Sequence, residues 1–221
     1  VKKRYLLMIL CILSLSLNVF SLPLLNPSPE IVDEGNMQLE LVSYGNIAIR
    51  YGLFGFMEVG ASENEGNGYL KMGLKNISGV PFNIALSYGY IYGDNNYILN
   101  GVFGYTGEKI RISGGAAFSK NEDYDYEKDK SITNYELDPF MAVTMKIDDR
   151  SAVNFETNLP ISLGDSGTNY GLPVISIYGT QKYDNVFFFK YIGIYGGIKY
   201  DFGTVKILFG VSSNIEFFKS K

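Results

Sequence analysis

The sequence predicts an all-β protein, an antiparallel transmembrane β-barrel of about 12 strands, with ten or eight as smaller alternatives. Three observations predict it. Apolar and polar residues alternate with period two over most of the chain beyond Asn36, and no long stretch carries a convincing helical period. The polar side of that alternation is built mainly from Gly, Ser, Ala and Asn rather than from long charged residues. Tyr and Phe, 18 and 15 of the 221 residues, gather at the ends of the alternating segments.

The first element is an address. The chain opens Val1-Lys2-Lys3-Arg4, runs apolar from Tyr5 to Leu17, and reaches Val19-Phe20-Ser21. A basic start, an apolar run and compact residues before a cut after Ser21 predict a cleaved signal peptide over 1–21. The apolar run, about 13 residues, falls short of the roughly 20 that a spanning helix needs. Cys11, the single cysteine, lies within it. Residues 22–221 therefore form no disulfide among themselves, and an exported domain of that kind is stabilised by packing or by a membrane. Without Lys2, Lys3 and Arg4, the 19 basic residues become 16 against 23 acidic, so that part is net negative. Residues 22–35 hold three of the seven prolines and read as an extended N-terminal segment.

The barrel is expected over 36–218. Breaks at Gly, Pro, Asn and Asp place strands near 36–43, 46–53, 56–62, 68–77, 81–92 and 96–105. The others fall near 109–119, 133–147, 151–158, 172–180, 187–200 and 204–217. Pro139 inside the eighth predicts a bulge or a later strand start, because Pro gives no donor to a ladder. The clearest alternations set Phe82, Ile84, Leu86, Tyr88 and Tyr90 against Asn83, Ala85, Ser87 and Gly89. Similarly, Ile110 and Ile112 oppose Arg111 and Ser113, and Val205, Ile207 and Phe209 oppose Lys206, Gly210 and Ser212. Leu86, Ile112, Ile194, Ile207 and Phe209 are expected to face lipid.

Small residues on the polar face suit a crowded interior, and aromatic strand ends suit the interfacial girdles of a membrane barrel. The longest loops, 120–132 and 159–171, fall on one side of the expected barrel. Most opposite connections are short, with Gln181–Val186 intermediate, as in bacterial barrels with short inner turns. A soluble, exported β-barrel holding a small apolar ligand is the alternative.

The stretches IAIRYGLFGFMEVGAS (Ile47–Ser62) and YLKMGLKNISGVPFNIALSYGY (Tyr69–Tyr90) carry a family resemblance. With the leader and the closing strands, they resemble small Gram-negative-type outer-membrane β-barrel proteins. The resemblance implies residence in the cell outer membrane. It also implies outer-membrane lipid and the export and barrel-assembly machinery as partners, and a structural, surface or narrow passive channel role with small solutes.

Composition excludes much else. With no His, Ser-His and Cys-His hydrolase sites and His-ligated metal sites are absent. A formal charge of −4 gives no basic face for nucleic acid. The acids of Asp123–Asp129 have oxygen-ligand spacing, but Lys128 and Asn134 stand where a calcium loop needs Gly and a bidentate Glu. No catalytic pair, metal site or cofactor is expected, so the chain reads as a non-enzyme. The charged residues on the polar face are the candidate lumen lining. They are Glu40, Arg50, Glu58, Lys71, Lys75, Lys109, Arg111, Glu156, Lys199, Lys206 and Glu216. Seven are basic and four acidic. Two readings compete: a mildly basic, anion-favouring lumen, or, preferred in a narrow barrel, mutual neutralisation in a filled interior.

Overall fold

The computed structural model describes residues 26–43, 47–91, 96–125, 130–164, 167–187, 189–201 and 203–216. The expected signal peptide and Phe217-Phe218 lie outside the described residues. The first six strands are β1 (Asn36–Val42), β2 (Ile47–Leu53), β3 (Met57–Ser62), β4 (Gly66–Leu74), β5 (Phe82–Tyr90) and β6 (Tyr97–Thr106). Then come β7 (Ile110–Asp125), β8 (Lys130–Lys146), β9 (Ser151–Asn158), β10 (Ile161–Gly164) and β11 (Gly167–Tyr170). The last three are β12 (Val174–Val186), β13 (Phe189–Asp201) and β14 (Thr204–Glu216).

Twelve of them, β1–β9 and β12–β14, close an antiparallel barrel. Closure comes from β1 pairing with β14, and from β8–β9 and β9–β12 pairing across the far side. Closing the ring leaves the wall no unpaired edge. The extra hairpin, β10–β11, continues past β9 and adds to the upper part of β8, opposite Tyr135–Leu137.

The wall is inside-out by the standard of a water-soluble protein. In β5, Asn83, Ala85, Ser87 and Gly89 are buried, while Ile84, Leu86, Tyr88 and Tyr90 are exposed. The same inversion runs round the barrel. Leu86 is 66% exposed, Ile207 71% and Phe209 65%, whereas Glu40, Glu58 and Glu156 are each 1%. Period two makes this possible, because successive strand side chains point to opposite faces.

Aromatic rings frame the apolar outer band. At one end, Tyr88, Tyr97, Phe118 and Tyr135 form a continuous row across β5–β8, with successive ring centroids 6.1, 6.4 and 5.8 Å apart. At the other, Phe82 and Phe103 stack at 6.3 Å. From Phe82 to Tyr90 is about 26 Å along the strand at roughly 3.3 Å per residue, or about 20 Å along the axis at a tilt near 40°.

Four local expectations need correction. Much of the expected loop 120–132 is strand, because β7 and β8 pair in unbroken register as far as Asp125 and Lys130. The expected loop 159–171 contains the β10–β11 hairpin. Residues Gln181–Val186 are the end of β12, paired with β13. At Pro139, β8 is continuous and in register with β7. The break falls instead on its other neighbour, between β9 and β10, where Leu159 N–H donates to the Pro139 carbonyl. Pro's missing donor thus sits where no ladder partner is required.

The N-terminal segment, residues 26–35, is extended but does not lie outside the wall. Asn26, Ser28, Ile31 and Val32 are all buried within the barrel. Pro27 and Pro29 suit this path, since neither brings a backbone N–H that would need a partner there. Gly52, on the inner face of β2, admits the segment: a Cβ there would stand 2.2 Å from the Val32 carbonyl oxygen and 2.3 Å from that of Asp33.

Candidate functional site

Twelve strands enclose more space than their own side chains readily fill, since about eight strands already give an interior that side chains just fill. Two inserted pieces occupy the rest. One is segment 26–35. The other is the β3–β4 turn, which folds inward and buries Glu65, with Ser62 Oγ accepting its backbone N–H at 2.9 Å. Gly89 makes room for it, because a Cβ there would lie 1.7 Å from the Glu65 carbonyl oxygen.

The upper interior is a charge network. Arg50 Nη1 is 2.9 Å from Glu40 Oε2, and its Nε is 3.9 Å from Glu65. Lys71 Nζ lies 3.0 Å from Glu65 and 3.8 Å from Glu58. Tyr69 donates its hydroxyl to Glu58 at 2.6 Å, and Val32 N–H donates to the other Glu58 oxygen at 2.8 Å. Charges this deep persist only when paired and hydrogen-bonded. Across the lumen, Glu156 accepts from Asn26 Nδ2 at 3.0 Å and from the Tyr178 hydroxyl. Tyr195 donates to Ser212 at 2.9 Å, and Tyr178 and Tyr195 pack with Val42 and Leu208 as a small apolar cluster.

Towards the end of the barrel that carries both the start of β1 and the end of β14, the inner segment meets the wall by ion pairs. Arg111 Nη1 is 2.9 Å from Glu30, and Lys75 Nζ is 3.1 Å from Asp33. Beside them lies a cavity of about 360 Å³, lined among others by Lys75, Arg111, Lys190, Glu30 and Asp33. At the opposite end, Asp201 pairs with Lys206 at 2.9 Å and Lys199 at 3.8 Å.

Of the eleven expected lining residues, Glu40, Arg50, Glu58, Lys71 and Glu156 are buried inside. Arg111, Lys199 and Lys206 are half-buried, Lys75 reaches inward from the end of the barrel, and Lys109 and Glu216 are exposed at the rim. The expected basic excess does not survive. Glu30, Asp33, Glu65 and Asp201, none of them among the expected lining, answer the bases. Glu65 lies in a turn and carries no strand phase to mark it as interior, whereas Tyr69 and Tyr178 are marked only by the phase of β4 and β12. The Asp123–Asp129 stretch splits between the end of β7 and residues outside the described set. Among the described residues, no group of three or more acidic side chains is placed to hold a metal ion.

Among the described residues, carboxylates, bases and phenols of the interior pair with one another, and the 360 Å³ cavity lies beside the pairs made by Glu30 and Asp33. Compared with known protein families and with curated proteins, the chain matches none.

Proposed function

We propose that this chain is an outer-membrane β-barrel protein, delivered by the 1–21 leader and closed at rest, with a structural or surface role. The observation that carries the reading is the inverted wall: large aliphatic side chains exposed on the outside and carboxylates buried inside. Each such aliphatic left in water forgoes roughly 1.5–3 kcal/mol. An apolar belt round the whole molecule far exceeds the patches that soluble monomers tolerate. Lipid removes that penalty, and a closed barrel satisfies the backbone groups a bilayer cannot. The apolar height between the aromatic rows suits an outer membrane, which is thinner than average.

An apolar ligand inside a soluble barrel finds less support. The interior is polar and ion-paired, and the apolar cluster among the described residues, Val42, Tyr178, Tyr195 and Leu208, is already packed. Outer-membrane lipid and the export and barrel-assembly machinery are the partners this reading implies.

Cell fractionation tests it. The full chain should sediment with outer membranes, resist extraction by salt and alkali, and dissolve only in detergent. Recovery in the soluble periplasmic fraction as a folded monomer overturns the reading.

A further inference from the structure

We propose that segment 26–35 is a displaceable plug, and that its withdrawal opens a passage selective for small anions. The proposal rests on the membrane reading above and adds an activity to it.

The wall does not need the segment. All twelve barrel strands pair with their neighbours, and the segment adds to the ladder only a single bridge, Glu34 to Gly52, and the bond from Gly35 N–H to the Gly52 carbonyl. Both lie where the segment turns into β1, so they form a hinge. Above that hinge the segment is held by side-chain contacts: Asp33 to Lys75, Glu30 to Arg111, Val32 N–H to Glu58 and Asn26 to Glu156. Its bed on the wall is bare backbone at two points. Gly52 lies under the carbonyls of Val32 and Asp33, and Gly73 lies under Ile31, whose Cδ1 would stand 2.7 Å from a Cβ there.

Charge then sets what would pass. The vestibule, the cavity of about 360 Å³, is lined by three bases, Lys75, Arg111 and Lys190, all on the wall. The acidic residues among its described lining are Glu30 and Asp33, both on the segment. Seated, the segment blocks the lumen and neutralises the vestibule in one move. Withdrawn, it takes both carboxylates with it. Glu58 keeps Tyr69 and Lys71, and the upper network keeps the charge it had, Glu40, Glu58 and Glu65 against Arg50 and Lys71, while the mouth turns basic. A basic constriction favours anions.

Two full-length variants test this independently. Gly52→Val places a side chain where the Val32 and Asp33 carbonyls lie, expelling the segment without altering any charge. Glu30→Gln with Asp33→Asn leaves that bed intact and removes the electrostatic hold. Each is compared with wild type in planar phosphatidylcholine bilayers under a potassium chloride gradient, with flotation on phosphatidylcholine vesicles and β-sheet circular dichroism as controls. Expected are a closed wild type, steady conductance steps in Gly52→Val, and intermittent steps in the charge variant. Both reversal potentials should lie towards the chloride equilibrium potential. Variants that float and keep their β-sheet signal but stay closed, or that open with cation selectivity, overturn the plug proposal alone. Failure of every form, wild type included, to float overturns the membrane reading and the plug with it. If Gly52→Val does not fold, the charge variant decides.

Discussion

The backbone N–H of Val32 donates to the carboxylate of Glu58 over 2.8 Å, joining the inner segment to the barrel wall at a buried acid. Glu58 also accepts from Tyr69 and faces Lys71. Replacing it strands the Tyr69 hydroxyl and the Val32 N–H and leaves Lys71 with Glu65 alone of its two acids. Glu58→Leu should cost about 3–5 kcal/mol, the usual loss when one member of a buried ion pair is removed. Glu58→Gln keeps an acceptor oxygen for only one of Tyr69 and Val32, sets its amide NH2 against the other, and should cost about 1–3 kcal/mol. Urea unfolding in vesicles measures both. A Leu variant no worse than the Gln variant would show that the network contributes little.

Gly89 and Glu65 make the second prediction. The inward fold of the β3–β4 turn depends on a bare backbone opposite it, where a Cβ would lie 1.7 Å from the Glu65 carbonyl oxygen. Gly89→Ala should therefore destabilise the barrel by about 1–3 kcal/mol through overpacking. The same measurement on Gly68→Ala, where a Cβ meets nothing, should show a smaller change. Equal effects at the two positions would contradict the inward placement of the turn.

The β8–β9 turn carries a pH signature. Arg150 N–H and then the Ser151 hydroxyl donate to Asp148, holding its carboxyl below its ordinary value. A depressed folded value means that the turn's contribution is present above the unfolded carboxyl's titration and fades as pH falls through the folded one. Carbon-detected NMR of Asp148 in detergent micelles should give a midpoint below that of a free aspartate. An ordinary midpoint would mean that these bonds do not persist.

How much of this was legible depends on whether a signal was local. Residues 82–90 announce their two faces because each side chain's environment is set by its parity, and parity can be counted. The far ends of β7 and β8 were not legible. Lys120–Ile132 is rich in charge and reads as loop, yet its described residues, to Asp125 and from Lys130, extend a hairpin whose register is already fixed by the pairs below it. The inner segment illustrates the opposite limit. Its prolines announce an extended chain, but nothing near Asn26 in sequence points to Glu156, 130 residues away. The same limit hid Glu30 and Asp33, whose partners Arg111 and Lys75 were identified without them. The lining was therefore assigned an excess of bases that the fold does not have.

The central claim is that the outer face of the barrel meets lipid, and Leu86 tests it most directly. It lies at the middle of β5, 66% exposed, between the Phe82–Phe103 stack and the row that begins at Tyr88. In a bilayer, Leu86→Arg should lower folding stability by about 2–4 kcal/mol, the cost of a cation near the midplane of a barrel's lipid face. If that face meets water instead, the change should stay within about 0.5 kcal/mol, as for an ordinary surface site. Reversible urea unfolding of wild type and Leu86→Arg in phosphatidylcholine vesicles measures the difference, and a value near zero would contradict the membrane barrel.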